Sequence, residues 1–176
     1  MEIINKCSTV HTSSKPKREI KYIVIHYTAG TTSRAGTAAN TAEYYRTVKR
    51  DVSCDYTVDD KYAVCYNGDI PNRYTWHCGG SKYNTKGGSY YGKCTNANSI
   101  GIEICSTNNT GKMQNANDKS YSFTAAAVDN AVALCRLLMK WHNIPPENVI
   151  RHYDVTGKPC PGICGYKERR SVFTER

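Results

Sequence analysis

The amino-acid sequence predicts an α/β fold, a single domain with a central mixed β-sheet flanked by helices. Three observations lead there. The chain has 176 residues, which suits one domain and is enough to bury a core without disulfides or a metal. Its hydrophobic content of 39% is that of a globular protein and too high for a disordered one. Short β-branched runs alternate with two stretches of helical periodicity in the order β-α-β-β-β-α-β, which gives a mixed sheet with helices packed on it.

The elements follow from local patterns. Residues 1–19 read as an N-terminal arm, because positions 8–18 are polar and carry a proline. Residues 21–28, Lys-Tyr-Ile-Val-Ile-His-Tyr-Thr, are β-branched and aromatic and read as an internal strand, broken by Ala29-Gly30. Ala38, Ala42 and Tyr45 recur at helical spacing, which places a helix over 37–49. Residues 55–58 and 61–66 read as short strands joined at Asp59-Asp60. Residues 67–98 are rich in Gly, Asn, Ser and Tyr and read as a long loop, of the kind that more often carries function than not. Ile100–Cys105 is a strand and 106–121 a second polar loop. Ser122 or Thr124 caps a helix running to His142, with a stripe of Val128, Val132, Cys135, Leu138 and Met139. Pro145-Pro146 follow its end, Val149–His152 is the last strand, and 154–165 is a loop.

Bulk properties narrow the function. The net charge of +9 favours acidic partners without saying which. Its clusters, Lys15, Lys17, Arg18 and Lys21 near the start and Lys167, Arg169 and Arg170 near the end, read as solvated surface. No segment reaches the roughly 20 apolar residues of a membrane helix. Met1–Lys6 lacks an apolar signal core, so synthesis in the cytoplasm is expected, and action outside the cell needs a separate route of release. Nine cysteines without a secretory signal argue against a disulfide framework. Cys65, Cys105 and Cys135 sit among apolar neighbours and read as core.

The densest chemistry lies in Arg151-His152-Tyr-Asp-Val-Thr-Gly157-Lys158-Pro159-Cys160-Pro161-Gly162. Glycines and prolines stiffen the turn around Cys160, and Lys158 favours its thiolate, the form that binds metal. His26 lies in the apolar run Ile-Val-Ile-His-Tyr. Taken alone it reads more readily as a hydrogen-bonded core residue than as a ligand. His152 at the end of another strand, with a thiol eight residues on, raises the metal reading. Two imidazoles and a thiolate suit zinc, and three protein ligands leave a fourth position for water. Glu103 inside Ile-Gly-Ile-Glu-Ile has two readings that fit equally. One is a general base facing a site; the other is a glutamate on the solvent face of an edge strand. Lys158 is the candidate partner for a developing oxyanion.

Four blocks in order, Ile-Val-Ile-His26-Tyr-Thr-Ala, Trp76-His77-Cys-Gly-Gly, Asn98-Ser-Ile-Gly-Ile-Glu103-Ile-Cys and the Arg151–Gly162 segment, closely resemble the type 2 N-acetylmuramoyl-L-alanine amidases. These include phage endolysins, bacterial autolysins and, more distantly, the peptidoglycan recognition proteins. The resemblance spans about residues 20–165. It implies a catalytic domain over 20–166, with 167–176 as a tail or the start of a linker, and a zinc site in a groove at one sheet edge. It implies Zn2+ held by His26, His152 and Cys160, with Glu103 as general base and Lys158 steadying the reacting carbonyl. Trp76 and His77 match a pair lining the substrate groove.

The substrate implied is the peptidoglycan of a Gram-positive wall, cut between N-acetylmuramic acid and L-alanine. The chain is then expected to be a monomer that binds no nucleic acid and does not insert stably into a membrane. The missing signal core fits a phage or prophage endolysin that reaches the wall after release.

Two departures stand out. Relatives often show Ser-x-His-Tyr where this chain has Ser53-Cys54-Asp55-Tyr56, leaving Tyr56 as a candidate groove residue in place of a catalytic tyrosine. The usual Trp after the Cys-Pro segment is replaced by Ile163-Cys164-Gly165-Tyr166. Three other readings compete. A non-catalytic peptidoglycan-binding module would lack the thiolate that is present here. A structural zinc on His152, Cys160 and Cys164 would leave His26 and Glu103 unexplained. A nucleic-acid binder has only the charge in its favour.

Overall fold

The computed structural model describes residues 1–82, 88–115 and 118–162. Its elements are β1 (Glu2–Asn5), β2 (Thr12–Ser14), β3 (Tyr22–Tyr27), α1 (Thr37–Thr47), β4 (Tyr56–Val58), β5 (Tyr62–Cys65), β6 (Arg73–Thr75), β7 (Ser99–Ile104), β8 (Thr107–Asn108), β9 (Tyr121–Ser122), α2 (Ala125–His142), β10 (Val149–Arg151) and α3 (His152–Thr156). The main sheet has the order β1-β5-β4-β7-β3-β10. It is mixed: β4 and β5 are antiparallel, and the other neighbours run parallel. Among the described residues no helix is long and apolar enough to cross a membrane.

Each face of the sheet is closed by one helix. Ile23, Ile25, Tyr56, Val58, Ile100, Ile102 and Ile104 pack against Ala127, Ala131, Leu134, Cys135 and Leu138 of α2. The expected stripe through Val128 is therefore rotated, because the small Ala127 and Ala131 let α2 sit close on the isoleucines while Val128 is only half-buried. On the opposite face α1 buries Ala38, Ala42 and Tyr45 against Cys54, Val64, Tyr66 and Cys105. Gly36 at the start of α1 has no side chain to cap it. Asp59, in the β4–β5 turn, does so instead, accepting from the Gly36 and Ala38 amides at 2.9 and 3.0 Å. The cysteines read as core, Cys65, Cys105 and Cys135, are buried.

Several segments expected as loop are structured. The arm at 1–19 supplies β1, an edge strand of the main sheet, and β2, which pairs with β6. Ile3 packs on the α2-side core and Ile4 on the α1-side core. β6 and the 3₁₀ turn Asn96–Asn98 lie within the expected 67–98 loop. β8 and β9 bracket the 106–121 loop, and α3 opens the 154–165 loop. All are too short to show a period in sequence. The segment 163–176, which includes Cys164 and the expected domain end and tail, lies outside the described residues.

Arg18, read as surface, is 5% exposed. Its guanidinium donates to the carbonyls of Ile70, Asn96 and Ser99 at 2.5, 3.1 and 2.8 Å and lies 4.0 Å from Asp55. The Asp55 carboxylate also accepts from Asn67 Nδ2 at 2.7 Å, Thr75 Oγ1 at 2.8 Å and the Gly101 amide at 2.8 Å. Buried charge survives only when paired and hydrogen-bonded in this way. The pair anchors the long connection before β7 to the sheet.

Candidate metal centre and active site

Parallel β3 and β10 bring their carboxyl ends to the same side of the sheet edge. His26 is the fifth of six residues in β3, and His152 is the first residue after β10, at the start of α3. The start of α3 is held by Asp154, which accepts from the Arg151 amide at 2.8 Å and pairs with its guanidinium at 2.7 Å. Gly157 ends α3 at φ 81, a left-handed conformation that suits glycine. The chain then turns back through Lys158 to Cys160, whose carbonyl accepts from the Tyr153 amide at 2.9 Å.

This return brings His26, His152 and Cys160 together. One ligand atom from each lies within 4.8 Å of the others, and all three residues are buried. The Cys160 Sγ is 3.7 Å from His26 Nδ1, and the His26 and His152 ring centroids are 4.7 Å apart. Burial and the neighbouring His152, His77 and Lys158 hold the His26 imidazole well below its ordinary value. Burial, Lys158 and His77 bring His152 down to about 3. Both rings are therefore neutral around pH 7, as metal ligands must be. The Nδ1 of His152 is buried with no hydrogen-bond partner among the described residues. An orphaned imidazole nitrogen beside a thiol and a second imidazole fits a metal and is costly without one. The donor set fits zinc and leaves a coordination position free.

β7 lies between β4 and β3, so the edge-strand reading of Glu103 fails. Glu103 pairs in register with His26 on the parallel neighbour β3, so both side chains lie on the face away from α2. Burial pushes the Glu103 carboxyl up to about 7, against the opposing pull of Lys158 and a hydrogen bond from the Tyr45 hydroxyl. Lys158 is exposed and lines a groove of about 800 Å³ together with His152, Thr156, Trp76, His77 and Lys82.

The other expected groove residues divide. Trp76 lines the groove, with its indole donating to Ser13 Oγ at 2.9 Å and its amide to Ser53 Oγ at 3.0 Å. His77 also borders the groove, yet it is only 9% exposed and reaches inward to His26. Tyr56 is not in the groove. It pairs with Ile102, one residue out of phase with Glu103, and so points into the α2-side core. Burial pushes its phenol up. The strand period of two decides this, because a one-residue offset moves a side chain to the other face. The sequence reading also missed Tyr45, Ser99 and Gly101. A glycine and a serine at alternate positions before Glu103 were the available signal.

Residues 16–163 match the family described as N-acetylmuramoyl-L-alanine amidase. The chain is 34% identical over 140 residues to the N-acetylmuramoyl-L-alanine amidase CwlH of Bacillus subtilis (strain 168), covering 80% of this chain and 46% of that protein. It is 36% identical to XlyA of the same organism, covering 80% and 39%. It thus spans less than half the length of these curated relatives. The solved catalytic domain of XlyA matches with a TM-score of 0.69 at 27% identity, covering 98% of this chain and 99% of that one. The structure of PlyL matches with a TM-score of 0.64 at 32% identity, covering 92% and 87%. With its fold shared and its matched segment containing every residue of the cluster, the chain belongs to the N-acetylmuramoyl-L-alanine amidase family.

Proposed function

We propose that this domain hydrolyses the amide bond between N-acetylmuramic acid and L-alanine in peptidoglycan, with Zn2+ held by His26, His152 and Cys160. The observation that carries the proposal is the buried His-His-Cys cluster with Glu103 in register beside it. Zinc, when bound, lowers the pKa of a coordinated water toward neutrality and polarises an amide carbonyl. Glu103 removes a proton from the attacking water and returns it to the departing L-alanine amine. Burial raises the Glu103 carboxyl from its ordinary value, the direction that suits a group that must return a proton as well as take one. Lys158 offsets negative charge growing on the carbonyl oxygen. Trp76 gives the glycan or stem peptide a flat apolar wall. The proposed substrate is the wall of a Gram-positive cell, reached after release during phage or prophage lysis, and the proposed working form is a monomer. A binding-only role is disfavoured by the complete donor set.

The test measures zinc content and new amino groups released from purified walls, on wild type, Cys160→Ser and Glu103→Ala. Expected are one zinc per wild-type chain, new L-alanine N-termini, loss of both in Cys160→Ser, and retained zinc with no turnover in Glu103→Ala. Wild type that binds no zinc, or that binds zinc and releases no amino groups, overturns the proposal.

A further inference from the structure

We propose that His77 is a positioning residue for His26, the last link of a polarised hydrogen-bond relay that leaves the His26 Nδ1 lone pair facing Cys160 and His152. The proposal rests on the metal reading above.

The direction of the relay follows from its far end. The Ser99 hydroxyl donates to the Thr95 carbonyl at 2.6 Å, and a carbonyl can only accept. Its proton so committed, the Ser99 oxygen is an acceptor toward His77 Nε2 at 3.2 Å. A neutral His77 ring therefore carries its proton on Nε2 and presents a bare Nδ1. That nitrogen lies 3.1 Å from His26 Nε2, which must be the donor. His26 is thereby the Nε2–H tautomer. Its Nδ1, 3.7 Å from Cys160 Sγ, is the nitrogen with a free lone pair. Reversing any one link would put a proton on Nδ1 and block it as a ligand.

His77 is held for this task by contacts apart from substrate. The Asn96 side-chain oxygen accepts from the His77 and Cys78 amides at 3.1 and 2.7 Å. The imidazole lies against Gly101, where a Cβ would meet Cys54 Sγ at 2.6 Å and the His77 Cγ and Nδ1 at 2.7 and 2.9 Å. Ser99, Gly101 and Glu103 alternate along one face of β7. Ser99 anchors the relay, Gly101 makes room for the ring, and Glu103 stands beside His26. The same stripe of one strand thus positions both the ligand and the base, and His77 serves the metal centre more directly than the groove.

Two readouts test this. In metal-free wild type at mildly alkaline pH, nitrogen-15 NMR of the histidine rings is expected to show His26 and His77 each as the Nε2–H tautomer. Zinc affinity, measured by competition with a chromophoric chelator, is expected to fall about 10- to 100-fold in His77→Phe and in Gly101→Ala, with fold checked by circular dichroism. A His26 ring protonated on Nδ1 or mixed between tautomers overturns the relay, as does a folded His77→Phe with wild-type affinity. The tautomer readout needs no variant to fold. Wild type that binds no zinc would sink the proposed function while leaving the tautomer result to decide the relay.

Discussion

Replacing Glu103 by Gln should make the metal-free protein more stable at neutral pH and leave it nearly unchanged at acid pH. The Glu103 carboxyl titrates at about 7 in the folded chain against an ordinary 4.5. Burial is the main cause, and Lys158 and the Tyr45 hydroxyl only partly oppose it. Between those values the folded state holds a proton that the unfolded state has released, so stability falls as pH rises through this window. At about 1.4 kcal/mol per pH unit the full cost is about 3.5 kcal/mol above pH 7. Glu103 is only half-buried, so solvent screening brings the expected value to about 1–3 kcal/mol. Gln keeps an acceptor for the Tyr45 hydroxyl and carries no charge. The assay is urea denaturation of both metal-free chains from about pH 4 to about pH 8.5, which brackets the two titrations. The buried histidines titrate in both chains and cancel in the difference. The expected difference grows in favour of Gln from about pH 4.5 and levels off above pH 7. A difference that is flat across this range, or that grows in favour of the wild type, refutes the argument that burial governs this carboxyl.

Two further substitutions test the scaffold. Arg18→Met leaves Asp55 buried without its cation and frees the carbonyls of Ile70, Asn96 and Ser99. A loss of about 3–5 kcal/mol is expected from denaturant unfolding, and a change below 1 kcal/mol would mean that the amide and hydroxyl donors to Asp55 suffice on their own. Thr124 caps α2 by accepting from the Ala127 amide at 3.2 Å, and it donates to Asp60. Thr124→Ala should lower the denaturation midpoint by the equivalent of about 1–2 kcal/mol with the slope unchanged, and Thr124→Ser should recover most of it.

What could be read from the sequence was whatever depended on local period or on residue chemistry at fixed spacing. The apolar runs of β3 and β7, the cap and periodicity of α2, and the stiff Lys158–Cys160 turn are properties of neighbouring residues. The α/β class and the candidate metal set of His26, His152 and Cys160 followed from them, whereas the choice of Glu103 as base rested on the family resemblance. Tertiary structure decided which neighbour each strand received and which face each side chain took. The edge or interior position of β7 depends on pairings between residues far apart in sequence, so Glu103 had two equal readings until β4 and β3 were seen to flank it. Tyr56 looked like a groove residue until its register with Ile102 turned it to the α2 side. Arg18 sat in a basic cluster that read as surface, yet its partner Asp55 lies 37 positions away and draws it into the interior. His77 was read as part of a substrate wall because the Trp76-His77 pair matches one lining the groove of the family it resembles. Its contacts with His26, Ser99 and Gly101 come from strands that the linear order keeps apart. Side-chain chemistry is written residue by residue, whereas burial and hydrogen-bond direction are set by the groups that folding brings alongside.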